Sequence, residues 1–277
     1  MSAPPSQEQI RVAYITCDAA EWYEFAARMR RSRGWKPVYW ICETGRSDYL
    51  ERRFPGVIPH SRYHAYHLEQ PPKLAHVTPR PLDTAILEQY REAELVAMKM
   101  MDVMDSVDAF DFNARRRFFY QRLAYWDAVM NEVRPDVCMF TVSAHAIYDY
   151  IIYVWCRLNG VRTIMFEQTF NFSLWMPLED PLVGSTEISD RYADLLKAGA
   201  HEQPIDLPDY CEAYLDRLKG KYGAVPWYMR DQFKSMPKEI AKTLYKGEDA
   251  AAGTWDWQRL VRDSKQALHF WRKRDGS

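Results

Sequence analysis

The start of the chain alternates a short β-favouring run, a helix-length segment and a second β-favouring run, and this order constrains the fold more than any other feature. The first run is 11–16 (RVAYIT) and the second is 37–42 (PVYWIC). A helical stretch over 19–33, which Gly34 ends, separates them. Strands joined by one helix are nearly always parallel, with a right-handed crossover.

The same order recurs later in the chain. The run 137–142 (VCMFTV) precedes a helix from about Ile147 to Leu158, which Gly160 closes before the run 161–166 (VRTIMF). Two such units can share one sheet. The sequence therefore predicts an α/β fold with a Rossmann-like parallel sheet flanked by helices.

The segment between the two units predicts two long helices. Asp83 can cap the first, whose apolar residues recur three or four apart from Ile86 to Met104. The second carries the same spacing from Phe119 to Val133 and ends at Pro135. Six prolines interrupt 46–82, so we predict a third short strand at Val57–Ile58 and a loop over the rest.

Beyond residue 190 the pattern is helical and contains no strand-like run. We therefore expect a Rossmann-like domain over 8–190 and a helical extension or interdomain segment over 191–277. Five cysteines stand singly and favour buried free thiols over disulfides.

Composition excludes some classes of partner. A formal net charge of −1 provides no long-range field for nucleic acid. The chain has neither a secretory leader pattern nor a run of about 18 apolar residues. We expect a cytoplasmic protein whose contact with a membrane, if it makes one, is peripheral.

Familiar cofactor motifs are missing from the sequence. It contains neither GxGxxG nor the P-loop pattern GxxxxGK[ST], which argues against a dinucleotide oxidoreductase or a P-loop kinase. The carboxylate pairs Asp108/Asp111 and Glu179/Asp180 lie in connectors without other hard ligands nearby. We expect no metal site and no cofactor.

Ligands of open parallel sheets bind beyond the carboxyl ends of the strands, so the residues that follow each strand are the candidates. After the first strand comes Asp18, which either caps the next helix or contacts substrate. After a later strand come His145 and Asp149, a spacing that suits a carboxylate-supported general base; alternatively His145 completes a turn and Asp149 faces solvent. Glu167 follows an apolar strand directly, with Gln168 and Asn171 as hydrogen-bonding neighbours.

The segment 134–184 resembles the N-terminal domains of bacterial capsule and surface-polysaccharide glycosyltransferases of the GT-B type. The similar features are the Pro-Asp-Val entry to a strand, the polar loop with His145, the helix bearing Asp149-Tyr150, and the Gly-Val-Arg-Thr-Ile strand that leads to Glu167.

The resemblance implies a transferase that moves a sugar from a nucleotide sugar, its substrate, to a glycan or small-molecule hydroxyl. Its N-terminal domain receives the acceptor, with His145, Asp149 and Glu167 as catalytic candidates and Asp18, Gln168 and Asn171 as substrate-binding candidates. The donor domain of that class is absent from these 277 residues, so we expect a longer enzyme or a protein partner to supply it. The alternative is a non-catalytic binding or scaffolding module of a glycan-assembly complex, anchored by aromatic residues of the helical tail.

Overall fold

A computed structural model describes residues 9–105, 110–168, 175–199 and 206–219. The chain divides into two compact units. Among the described residues, the first comprises 9–104, 110–168 and 175–186, and the second comprises 105, 187–199 and 206–219. The boundary at residue 190 stays a prediction.

The first unit contains a six-stranded sheet in the order β3-β2-β1-β4-β5-β6. Its strands are β1 (Arg11–Ile15), β2 (Lys36–Cys42), β3 (Ile58–Ser61), β4 (Val137–Phe140), β5 (Arg162–Gln168) and β6 (Trp175–Leu178). The first five are parallel, and β6 is antiparallel to β5. The predicted Rossmann-like α/β fold is therefore confirmed.

Helices lie on both faces of this sheet. They are α1 (Ala20–Arg33), α2 (Ser47–Arg53), α3 (Arg62–Tyr66), α4 (Thr84–Gln89), α5 (Arg91–Met104), α6 (Phe112–Val133) and α7 (Ile147–Leu158), with a 3-10 turn at Pro72–Leu74. The second unit contains most of α8 (Thr186–Lys197) and all of α9 (Asp209–Lys219). No helix in the described ranges is long and apolar enough to cross a membrane.

Side-chain alternation along the strands produces two cores. Ala13 and Ile15 of β1 face one core, to which α5, α6 and α7 contribute. Val12 and Tyr14 face the other, with residues of α1 and α2. Successive strand residues point to opposite faces, and a parallel sheet covered on both faces needs apolar residues at both.

The long helices bury the predicted stripes. In α6 the stripe from Phe119 to Val133 is fully buried, and in α5 the buried positions include Ala93 and Ala97. Asp83 caps α4, since its Oδ1 accepts from the backbone N–H of Ile86 at 2.8 Å. The predicted single helix is broken at Tyr90, where α4 ends.

The predicted loop over 46–82 is wrong in part, because α2, α3 and the 3-10 turn lie within it. Each is short and buries a single residue, namely Leu50, Ala65 and Leu74. A single buried residue gives no periodic pattern from which a short helix could be predicted. The edge strand β6 is also missed, because Pro177 stands inside it.

The thiols are free, as predicted: Cys17, Cys42, Cys138 and Cys156 are buried and Cys211 is partly exposed. The part of the predicted helical extension after residue 219 lies outside the described residues, and with it the aromatic residues expected to anchor the tail: Trp255, Trp257, Phe270 and Trp271.

Candidate functional site

The strand order reverses between β1 and β4. The chain runs outward from β1 to β2 and β3, then returns to place β4 on the other side of β1. Such a reversal opens a crevice at the carboxyl ends of the two strands, where open α/β sheets bind their ligands. The turn after β1 and the loop between β4 and α7 border this crevice.

Ser143, in the loop after β4, joins two of the predicted residues. Its carbonyl oxygen lies 2.9 Å from Nδ1 of His145. Its hydroxyl donates to Oε2 of Glu167, at the end of β5, at 2.6 Å. His145 and Glu167 are exposed. No sequence pattern marks Ser143 as a link, because its contact with Glu167 spans 24 residues of chain.

The hydrogen bond of His145 decides the position of its proton. A carbonyl oxygen can only accept, so Nδ1 carries the hydrogen and Nε2 of the neutral ring keeps its lone pair. No hydrogen bond joins Nε2 to any residue within the described ranges. The exposed ring can therefore accept a proton at Nε2.

Asp149 lies in the first turn of α7 and is only 5% exposed. This burial contradicts the alternative of a solvated helix face. Burial raises the pKa of the Asp149 carboxyl to about 7. The charge of His145 and the backbone amides of His145, Ala146 and Tyr150 lower this pKa, but their effect is smaller. Its Oδ1 is buried without a hydrogen-bond partner.

His145 precedes α7, which Ala146 caps. His145 therefore lies just outside the helix that carries Asp149. Asp149 interacts with His145 through charge and through its backbone amide. The two groups are thus electrostatically linked, with one exposed and the other buried.

Asp18 does not cap α1, because Ala19 is the N-cap residue. Its Oδ2 instead lies 2.9 Å from a guanidinium nitrogen of Arg62, the first residue of α3. Desolvation raises the pKa of Asp18, opposed by the positive charge of Arg62. The capping interpretation is wrong for a local reason: the chain turns at Thr16, so the helix begins after Asp18.

Thr16 has a backbone φ of 60°, in the left-handed region. That region costs an L-residue roughly 1–2 kcal/mol, and β-branched residues seldom adopt it. The Thr16 hydroxyl lies 2.9 Å from the hydroxyl of Tyr148 on α7. A strained turn at the end of β1 is therefore tied directly to the start of α7, across the strand reversal.

Tyr148 links the two sides of the crevice electrostatically as well. Burial and the charge of Asp149 raise its pKa to about 12, and the charges of Arg62 and Asp18 also act on it. Sequence reasoning missed Tyr148 and Arg62, since only the tertiary fold brings them to Asp18.

The structure thus brings Asp18, His145, Asp149 and Glu167 to the carboxyl edge of one sheet, in groups connected by Tyr148 and Ser143. Gln168 ends β5 beside Trp175 of β6. Asn171 lies outside the described residues.

Other partners account for the carboxylates considered as metal ligands. Asp111 caps α6 by accepting from the N–H of Ala114 at 2.7 Å. Glu179 pairs with Arg162, and Asp180 with Arg157. Asp108 lies outside the described residues, and no group of three potential ligands occurs within them.

Comparisons with known proteins give no relative: no protein-family model, no curated protein and no solved structure matches this chain.

Proposed function

We propose that this chain is the acceptor-side part of a glycosyltransferase of surface-polysaccharide assembly, in which His145 removes the proton from the acceptor hydroxyl. The observation that carries the proposal is the pairing of an exposed His145, whose Nδ1 is held by Ser143, with the buried Asp149 at the strand reversal. In this arrangement Nε2 of His145 is the atom that accepts the proton of the acceptor hydroxyl.

The reaction follows from the proton position. The acceptor oxygen bonds to the anomeric carbon of the donor as the bond from that carbon to the nucleotide phosphate breaks. The hydroxyl proton moves to Nε2 of His145, and the ionised Asp149 stabilises the imidazolium that forms. Because the pKa of Asp149 is about 7, this support increases as pH rises through neutrality.

The sugar specificity rests on the resemblance of 134–184 and on the residues around the crevice. Glu167 and Asp18 offer carboxylate oxygens to sugar hydroxyls, and we keep Gln168 and Asn171 as further hydrogen-bonding residues. Tyr63 and Tyr66 of α3, after the carboxyl end of β3, are 48% and 38% exposed and could stack on sugar rings. A donor-binding domain or protein partner completes the proposed reaction.

Glycan binding tests the acceptor role without a donor domain. The fluorescently labelled full chain is applied to an oligosaccharide array, and we expect saccharide-dependent binding that Glu167→Gln weakens. Absence of binding to every saccharide would contradict the acceptor-side assignment.

Nucleotide release tests the base. The chain, together with the donor-binding domain or protein partner that completes the reaction, is incubated with UDP-, GDP-, dTDP- and CMP-linked sugars and the bound saccharide, and free nucleotide is measured. We expect His145→Gln to lower release by about 10²–10⁴-fold, the usual contribution of a general base. The melting temperature should barely change, because His145 is exposed.

His76→Gln is the matched control, because His76 is also an exposed histidine and pairs with Glu132 instead of a site residue. It should leave nucleotide release unchanged. Equal release by the wild type and His145→Gln would remove His145 from the reaction.

A further inference from the structure

Three neighbouring side chains of α6 are buried with an unused hydrogen-bond donor. They are Arg122, Tyr125 and Trp126, at 2%, 3% and 0% exposure. Nη1 of Arg122, the hydroxyl of Tyr125 and Nε1 of Trp126 are buried without a hydrogen-bond partner. We call this set the α6 donor row.

Arg122 is the charged member of the row. Its Nη2 donates to the carbonyl of Tyr66 at 3.2 Å, and its guanidinium carbon lies 3.2 Å from the centroid of the Phe118 ring. Burial lowers the pKa of Arg122 to about 10, so the group still carries its charge at neutral pH. None of the carboxylates in the described ranges forms an ion pair with it.

The row occupies one side of the helix. Residues i, i+3 and i+4 are neighbours on a helix surface, and the rings of Tyr125 and Trp126 are 5.1 Å apart at their centroids. The three side chains that carry the unused donors are therefore neighbours on α6.

The neighbouring imidazole of His60 cannot satisfy these donors. His60 lies 6.5 Å from the Tyr125 ring and 5.9 Å from the Trp126 ring. Both of its nitrogens are occupied, Nδ1 by the Tyr39 hydroxyl at 2.6 Å and Nε2 by the carbonyl of Glu69 at 2.8 Å. The described residues give Arg122 one carbonyl and two ring faces as partners but no carboxylate, so its buried charge is only partly compensated. Such a charge with two idle donors beside it is costly unless something supplies acceptors and negative charge.

We propose that the α6 donor row binds the oxyanion of a small ligand, a carboxylate or a phosphate. Such a group provides several acceptor oxygens and the charge that Arg122 lacks. The Trp126 ring lies 5.9 Å from that of Tyr148, which bonds to Thr16 at the strand reversal. The oxyanion site is thus adjacent to the candidate site, but it does not depend on the base chemistry of His145.

Isothermal titration of the full chain tests the proposal. Inorganic phosphate and sodium acetate are titrated separately, at matched ionic strength in chloride buffer, and the tighter probe identifies the type of oxyanion. We expect saturable binding of at least one of them, and Arg122→Met should weaken it about tenfold or more. Tyr125→Phe, which removes only an unpartnered hydroxyl, should weaken it severalfold.

Arg53→Met is the matched control. The Arg53 guanidinium also lies over two rings, those of Tyr49 and Phe54, but it is paired with Glu24 at 2.6 Å. This variant should bind the probe as the wild type does. Absence of saturable binding to the wild type would overturn the proposal and would mean that water alone occupies the row.

Unchanged affinity for the oxyanion probe in a folded Arg122→Met variant would also overturn the proposal. If that variant does not fold, unchanged affinity in Tyr125→Phe overturns the proposal in its place. Loss of nucleotide release in His145→Gln with intact oxyanion binding would separate this site from the proposed reaction.

Discussion

At the scale of single residues, burial acts in opposite directions on two ionisable groups. It raises the pKa of Asp149 to about 7 and lowers that of His60 to about 4. Both shifts favour the neutral form, because a low-dielectric interior penalises charge. Asp149 interacts with His145 of the candidate site, whereas His60 is fully buried and hydrogen-bonded through both nitrogens.

Asp149 should make stability depend on pH. Its folded pKa lies above its ordinary value of 3.8, so between about pH 4 and 7 the folded state binds more protons than the unfolded state. The free energy of unfolding therefore falls as pH rises through this window. We expect Asp149→Asn to gain stability relative to the wild type between pH 4 and pH 8, measured by urea denaturation.

The free energies of unfolding of the wild type and Asp149→Asn must be compared at each pH, because the titration of His60 changes stability with pH in the opposite direction. Its lowered pKa makes the folded state lose stability as pH falls from about 6.5 to 4. Subtracting the wild-type curve from the Asp149→Asn curve cancels that contribution. A difference that stays flat with pH would show that Asp149 ionises normally in the folded protein.

At the scale of elements, the sequence predicted the features that arise from regular apolar spacing or from contacts between residues close in the chain. The stripe of α6 and the bounds of α7 could be inferred because several apolar residues recur on one face. Asp83 could be inferred as a cap because capping is a local interaction. Asp18 could not be assigned, because its partner Arg62 is distant in sequence and the left-handed turn at Thr16 displaces the helix start.

The cap of α6 provides an element-scale prediction. Asp111 accepts from the N–H of Ala114, and α6 packs along much of its length into the core. Replacing an N-cap aspartate by alanine costs about 1 kcal/mol. We expect Asp111→Ala to lower the free energy of unfolding by about that amount in urea denaturation.

Asp83→Ala serves as the comparison, because Asp83 caps α4 in the same way and α4 buries none of its residues completely. Since α4 can fray without opening the core, Asp83→Ala should lower the free energy of unfolding less than Asp111→Ala does. A larger loss in Asp83→Ala would mean that the start of α6 contributes less to the fold than its burial indicates.

At the scale of the whole molecule, the parallel sheet could be predicted, and so could the edge of the sheet at which the candidate residues lie. The parallel direction of the strands follows from two crossover units, and the carboxyl ends of parallel strands meet on one side. The connections within the site could not be predicted. Tyr148 reaches Thr16 across 132 residues of sequence, and Ser143 reaches Glu167 through a hydroxyl that no pattern marks.

Both outer strands of the sheet contain a proline, Pro59 in β3 and Pro177 in β6. Proline lacks the N–H that a further strand would need, so each edge resists the addition of another chain. We therefore expect Pro177, which hid β6 from sequence reasoning, to reduce aggregation through the edge of the sheet. Pro177→Thr should increase light scattering of a concentrated, warmed sample, whereas Pro81→Thr, at an exposed position outside the strands, should not. Equal scattering by the two variants would mean that solubility depends on other surfaces.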